Sequence, residues 1–237
     1  MKLNKKRLIL FVEKSMFGLG YVEFPDTSSD ANLFVKPIGE LFLTVGFTIS
    51  RLYDDCFTCN YYLSRTTNWA ECWGDIPHRL TYRRPGDLMS FQERQALTVD
   101  SRCKNNPQIT DMWWNVFDSD GNYDQESLAS FVETIKLTEG RIAQQPEIIE
   151  KIYASTILNT IYEEVNGTIE IAMREEFLED LLFQPKREVK AIPIKWFRAA
   201  ETYLRSGVAS TPVSSFVVQH RAYDAYRVHC IRNSMKG

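Results

Sequence analysis

The sequence predicts an α+β fold: a small antiparallel sheet with an N-terminal helix, followed by a mostly helical C-terminal half. Three observations carry this. Leu41 to Ser50 alternates almost strictly, with Leu41, Leu43, Val45, Phe47 and Ile49 on one side and Phe42, Thr44, Gly46, Thr48 and Ser50 on the other. Period two with one apolar face is the mark of a half-buried strand. A second alternating run, Cys56 to Arg65, follows after the short polar connection Arg51 to Asp55, which predicts an antiparallel hairpin. From Pro146 onward, apolar residues recur instead at helical spacing: Ile148, Ile149, Ile152, Tyr153, Ile157, Leu158, Ile161 and Tyr162.

Ahead of the hairpin, Asn4 to Ser15 reads as a short basic helix with Leu8, Phe11 and Val12 as its apolar stripe, ended by Gly18 and Gly20. Tyr21 to Phe24 reads as a short strand and Pro25 to Asp30 as a turn-rich loop; the segment around Phe34 can supply another strand. After the hairpin, Arg79 to Arg83 offers one more strand, ended by Pro85 and Gly86. Met112 to Phe117 is an apolar, aromatic run closed by the turn Asp118-Ser119-Asp120-Gly121. Asn122 with Gln125 fits an N-cap and capping-box pair, for a helix running to Glu139 and ended by Gly140. The Pro146 helix is expected to stop at Asn166-Gly167. Thr168 then caps a helix carrying Ile169, Ala172, Met173, Phe177 and Leu181 until Pro185. Pro193 opens a helix with Trp196, Phe197, Ala200 and Leu204 that stops at Gly207, and Thr211-Pro212 opens the last one. The expected division is a sheet domain over 1–140 and a helical region over 141–237.

The chain has 237 residues, 44% hydrophobic and 25% charged, a composition with enough apolar matter for a sizeable core. The first apolar run, Leu8 to Val12, is too short for a signal-peptide core, and no run approaches the roughly 20 residues of a membrane helix. A cytoplasmic protein with no membrane partner is expected. The five cysteines, an odd number, fit free thiols in a reducing compartment. Charge is unevenly spread. Residues 186 to 237 hold ten basic residues against Glu188, Glu201 and Asp224, which is +7; the whole chain is −3, so residues 1 to 185 carry −10.

Few motifs point to chemistry. Cys56-x-x-Cys59 with Cys72 and His78 is the best zinc set, but strand alternation sends Cys56 and Cys59 to opposite faces, so Cys59 reads as buried and Cys56 as an edge residue. Asp118 to Asp124 resembles a calcium loop in outline; Val116 and Ser127 stand where the first ligand and the bidentate glutamate belong, so a turn is the better reading. His78, His220 and His229 have no evident catalytic partner, and Gly18-Leu19-Gly20 lacks the third glycine of a phosphate loop. No metal, no cofactor and no catalytic residue is expected.

Two binding surfaces are legible. The outward hairpin face, Thr44, Thr48, Ser50, Thr58, Asn60, Tyr62 and Ser64, is rich in hydroxyls and is either a binding face or a seat for the C-terminal helices. Thr48, Thr58, Asn60 and Tyr62, with Asp54 and Asp55 in the turn, are its candidate contact residues. Alternatively, basic C-terminal helices with Lys190, Lys195 and Arg198 hold nucleic acid, with neighbouring aromatics as stacking surfaces.

The order of signals in residues 1–140 carries one further hint: Phe11 to Lys14 with Gly20-Tyr21, the strand ending in Thr44-Val45-Gly46-Phe47, the strand Phe57 to Ser64, and Trp113-Trp114 before the Asn122–Glu139 helix. This order resembles a family of uncharacterised bacterial α+β proteins, some of them thought to be toxin-immunity proteins. The chain departs from that pattern by a longer insertion between Tyr82 and Met112 and by its helical half, and the family offers no catalytic motif to map. The resemblance implies a non-catalytic interaction protein with a protein partner, for example a toxin. An acidic body suits a basic target.

Overall fold

The computed structural model describes residues 3–25, 32–52, 55–67, 82–99, 104–174, 192–208 and 213–234. In chain order these form α1 (Lys5–Gly18), β1 (Val22–Pro25), β2 (Asn32–Ile38), β3 (Leu41–Ile49), β4 (Cys56–Ser64), β5 (Tyr82–Arg83), a 3-10 turn (Pro85–Leu88), α2 (Phe91–Leu97) and β6 (Trp114–Asn115). Then come α3 (Gln125–Ala143), α4 (Pro146–Ala154), α5 (Thr156–Ala172), α6 (Ile194–Tyr203), a π turn (Leu204–Val208) and α7 (Ser215–Ser234). This is an α+β fold with an antiparallel sheet, an N-terminal helix and a helical C-terminal half. Packing divides the chain into two compact units: Met1–Gly39, Leu43–Leu63 and Trp69–Ile149 in the first, and Glu40–Phe42, Ser64–Asn68 and Glu150–Gly237 in the second. The main division thus falls at 149/150, and two short pieces of the sheet region belong to the helical unit.

In the first unit, Asn4 caps α1 by accepting the Arg7 N–H at 3.0 Å. Gly20, at φ +84°, turns the chain into β1. The sheet has the order β1-β2-β3-β4-β5, and β6 pairs with β4 so that Trp114 lies beside Phe57. The inward face predicted for the hairpin is where the core forms. Phe57 meets Trp114 at 5.7 Å and Phe131 of α3 at 5.5 Å, and Trp114 meets Phe131 edge-on at 5.3 Å. Phe11 of α1 and Phe47 of β3 close on the same Phe57 ring. Polar pins fix α3 to the sheet: Tyr61 and Thr138 share a hydroxyl hydrogen bond of 2.6 Å, and Glu139 accepts from Lys36 at 2.8 Å and from Tyr21 at 3.1 Å.

Several expectations need correction. The hairpin strands are not half-buried: β3 is buried on both faces from Leu41 to Gly46, and β4 from Phe57 to Ser64. Alternation reported which residues were apolar and did not report that polar ones would also be enclosed. The N-cap of α3 is Asp124, whose carboxylate accepts the Ser127 N–H at 2.9 Å. Asn122 is already engaged, its N–H donating to the Asp118 carboxylate and its carbonyl accepting the Asp118 N–H, both at 2.8 Å. The helix also continues past Gly140, because Ile142 is buried and Arg141 binds Glu93 beyond it. The stretch between Tyr82 and Met112 contains α2, opened by a capping box in which Ser90 and Glu93 satisfy each other's backbone N–H groups. Buried Arg94 of α2 donates to the carbonyls of Gly86, Met89 and Pro107, so one guanidinium organises the surrounding loops.

In the second unit, Ser155 splits the expected long helix into α4 and α5 and caps α5 by accepting the Leu158 N–H. Gly167 does not stop α5, which runs on to Ala172, and Thr168 lies inside it with its hydroxyl on the Glu164 carbonyl. The reason is packing: a Cβ at Gly167 would lie 1.9 Å from the Tyr203 ring. Glycine lets α6 approach α5, and the helix accepts the propensity cost of about 1 kcal/mol. α6 opens after Pro193, and Ser214 supplies the side-chain cap of α7 to the Val217 N–H. Thr211-Pro212, Pro185 and the expected helical residues 175–181 lie outside the described residues. Gly167→Ala forces the Tyr203 ring aside; we expect a loss of about 1–3 kcal/mol in denaturant unfolding, where an exposed helical glycine would gain stability instead.

Candidate functional site

The six hairpin residues do not form one surface. Thr48 is exposed, whereas Thr58, Asn60 and Tyr62 are buried. Asn60 donates to the Thr48 hydroxyl at 3.3 Å and accepts from the Tyr82 hydroxyl, so its amide serves internal order. The hydroxyls of Thr44 and Thr58 are enclosed without a hydrogen-bond partner among the described residues. The polar character of this face is real, but of its side chains Thr44, Thr58, Asn60, Tyr62 and Ser64 are enclosed, and Thr48 alone is exposed.

The hairpin tip is different. Ser50 N–H donates to the Cys56 carbonyl at 2.9 Å, the Ser50 hydroxyl accepts the Leu52 N–H at 3.2 Å, and the Asp55 carbonyl accepts the Val116 N–H at 2.9 Å. The chain on either side of the tip is therefore held. Between these anchors Leu52 is 86% exposed, the most exposed of the large apolar side chains in the described residues. Asp55 adopts φ +70°, an unusual conformation for a residue with a Cβ, and one carboxylate oxygen is buried without a hydrogen bond. Local strain kept in this way is common at functional sites. Asp54 lies outside the described residues.

Two of the four metal candidates, Cys56 and Cys59, are placed as the strand reading requires. Cys59 is fully buried, which pushes its thiol well above the ordinary range, and half-buried Cys56 donates to the Asn115 amide oxygen at 3.0 Å. Cys72, His78 and Cys103 lie outside the described residues. Among the described residues no group of three potential ligands converges. Asp118 to Asp124 is a tight turn stapled by the Asp118 carboxylate, which accepts the N–H groups of Asp120 and Asn122 at 2.9 and 2.8 Å, with Gly121 at φ +81°.

A cleft that sequence reasoning missed opens between α2 and α3, with a free volume of about 500 Å³. Half-buried Leu97 and Val99 and exposed Ala129 are among its apolar lining; Asp124, Glu126, Glu133 and Lys104 line it as well. Its walls are tied together. The Ser130 hydroxyl accepts from the Trp114 indole at 3.2 Å and donates to the Leu97 carbonyl. Arg141 grips Glu93 through both nitrogens at 2.7 and 2.9 Å. The signal for the cleft was the Ser90-x-x-Glu93 pattern, which announces a helix within the insertion between Tyr82 and Met112.

Among the described residues of the basic C-terminal segment, Phe216 is exposed, whereas other aromatics that could stack on bases are enclosed. Trp196 and Tyr223 are buried, and Phe197 packs edge-on against Tyr223. Arg221 and Arg227 are buried as well: Arg221 meets Glu164 of α5 at 2.5 Å, and the Arg227 guanidinium lies over Tyr223. Buried Asp224 accepts the Thr67 backbone N–H at 2.7 Å and the Thr67 hydroxyl; burial raises its carboxyl above the ordinary value against the pull of Thr67 and both arginines. Lys195 lies alongside the Trp196 ring at 5.7 Å, Arg198 is exposed, and Lys190 lies outside the described residues.

No protein-family model matches the chain, and no curated protein or solved structure matches it either. Among the described residues no helix is long and apolar enough to cross a membrane.

Two outcomes follow from this geometry. The paired Arg141 guanidinium and the Ser90 N–H hold the Glu93 carboxyl down at about 2. A depressed carboxylate adds stability that is present above its ordinary value and is lost as pH falls toward 2. Wild type should therefore lose stability over that window faster than Glu93→Gln in acid titrations followed by circular dichroism; the difference should be modest, because both partners are about a third exposed. Arg221→Met strands the buried Glu164 carboxylate and should cost about 3–5 kcal/mol, while adding Glu164→Leu recovers much of it in a double-mutant cycle.

Proposed function

We propose that this chain is a non-catalytic interaction protein that engages a protein partner through the tip of the β3–β4 hairpin. The observation that carries this reading is Leu52, an apolar side chain held out in solvent by a hydrogen-bonded turn instead of folded back on the body. Single exposed apolar residues are ordinary. One beside a strained Asp55 and the exposed Arg51 and Thr48 has the form of an anchor residue with a polar rim. The net −10 of residues 1–185 would steer a basic partner toward this body. Immunity or anti-toxin action against a basic toxin, such as a nuclease, is the activity that joins these features with the resemblance of the first 140 residues. The basic-helix alternative lacks an exposed aromatic surface at Trp196 and Tyr223, and we do not favour it.

The test is site-specific photocrosslinking in cells of the source organism. A benzoylphenylalanine at position 52 should yield a discrete, nuclease-resistant protein adduct, one at the exposed position 10 on α1 should not, and Leu52→Asp should weaken the captured complex by about tenfold or more. Identical adducts at both positions, or nucleic acid alone, would sink the proposal.

A further inference from the structure

We propose that the α2–α3 cleft is a second binding site, a receptor for a short cationic peptide segment with interspersed apolar residues. This inference is independent of the hairpin tip and stands if that reading fails. The cleft combines the two features such a segment needs. Its lining includes apolar side chains, half-buried Leu97 and Val99 and exposed Ala129, and its volume of about 500 Å³ is that of a site for a few side chains. The lining also carries carboxylates from one helix: Asp124 at the cap of α3, then Glu126 and Glu133, spaced to lie on the same side as Ala129. Among the described lining residues Lys104 is the one cation against three carboxylates, so negative charge is in excess among them.

The acids are not equally spent. Asp124 uses one oxygen on the Ser127 N–H, and Glu133 reaches Lys136 at 2.6 Å on an exposed surface, an interaction worth little in water. Glu126 makes no ion pair with any described residue and is exposed. A lysine or arginine docked in the cleft would therefore meet carboxylates that it need not strip from strong partners. The described parts of the cleft wall are also tied together in advance. Ser130 bridges the Trp114 indole and the Leu97 carbonyl, Gln95 holds the Lys104 carbonyl at 2.9 Å, and Arg141 locks α2 through Glu93. A partner would not have to order these walls on binding, which lowers the entropic cost.

The experiment uses the full chain and a fluorescein-labelled lysine-rich peptide with interspersed leucines, read by anisotropy at low ionic strength. A glutamate-for-lysine counterpart serves as the control. The lysine peptide should bind and the glutamate peptide should not. Glu126→Gln with Glu133→Gln, and separately Ala129→Trp, which fills the cleft without changing charge, should each weaken binding about tenfold or more; Leu52→Asp should leave it unchanged. Spermidine should compete poorly, since it lacks apolar side chains. Equal binding of the two peptides, undiminished binding to folded Ala129→Trp or to the double glutamine variant, or full displacement by equimolar spermidine would each overturn the assignment.

Discussion

Residues 114–116 are the constraint on which the first unit depends. Trp114 fills the centre of the aromatic core between β4 and α3, and its indole N–H is satisfied by Ser130, which also holds the end of α2. Asn115 accepts from Cys56 at the start of β4. Val116 N–H reaches back to the Asp55 carbonyl and so fixes the base of the hairpin tip. Three consecutive residues thereby anchor the cleft wall, the strand pairing and the tip. A buried tryptophan supplies a large apolar contribution, but only where its N–H finds an acceptor, and that requirement puts a small hydroxyl residue next to Phe131 on α3. The two candidate sites are consequences of the same packing decision.

The helical unit is built on a different economy. Glu164, Arg221, Asp224 and Arg227 are all buried, and as fully ionised groups they sum to zero charge. Such clusters are seldom the most stable solution, since apolar residues of similar size often do as well; what they supply is intolerance of error, because losing one member exposes the others' desolvation cost. Thr67 on Asp224, and Arg65 stacked 3.3 Å over the Tyr162 ring with its guanidinium on Asn159, bring the residues that follow β4 into this unit. Three buried polar atoms here, on Glu164, Tyr223 and Asp224, have no hydrogen-bond partner among the described residues, so the second ends of both carboxylates remain unsatisfied.

Much of this architecture was legible because it rests on local pattern. The β3 and β4 bounds follow from alternation, α1 from its stripe and Asn4 cap, and the buried Cys59 from strand parity. What was not legible depends on distant partners. Gly167 reads locally as a helix stop, and only the Tyr203 ring against it explains an unbroken α5. Asn122 and Asp124 are both good caps by residue type, and the choice was made by the Asp118 turn that occupies Asn122. The enclosure of Thr58, Asn60 and Tyr62 depends on what covers the sheet, which no strand encodes in its own alternation. The tip's exposed Leu52 and the cleft are likewise statements about absent neighbours, whereas Asp55 was singled out from its place in the turn.

The claim that residues 114–116 anchor both sites is tested most directly by native-state hydrogen exchange at the Val116 amide. If that N–H is held by Asp55 behind a buried Trp114, it exchanges among the slowest amides of the chain, near the rate set by global unfolding. Exchange of Val116 as fast as the amide of exposed Ser119 would contradict the account, because the tip and the cleft wall would then have no common support.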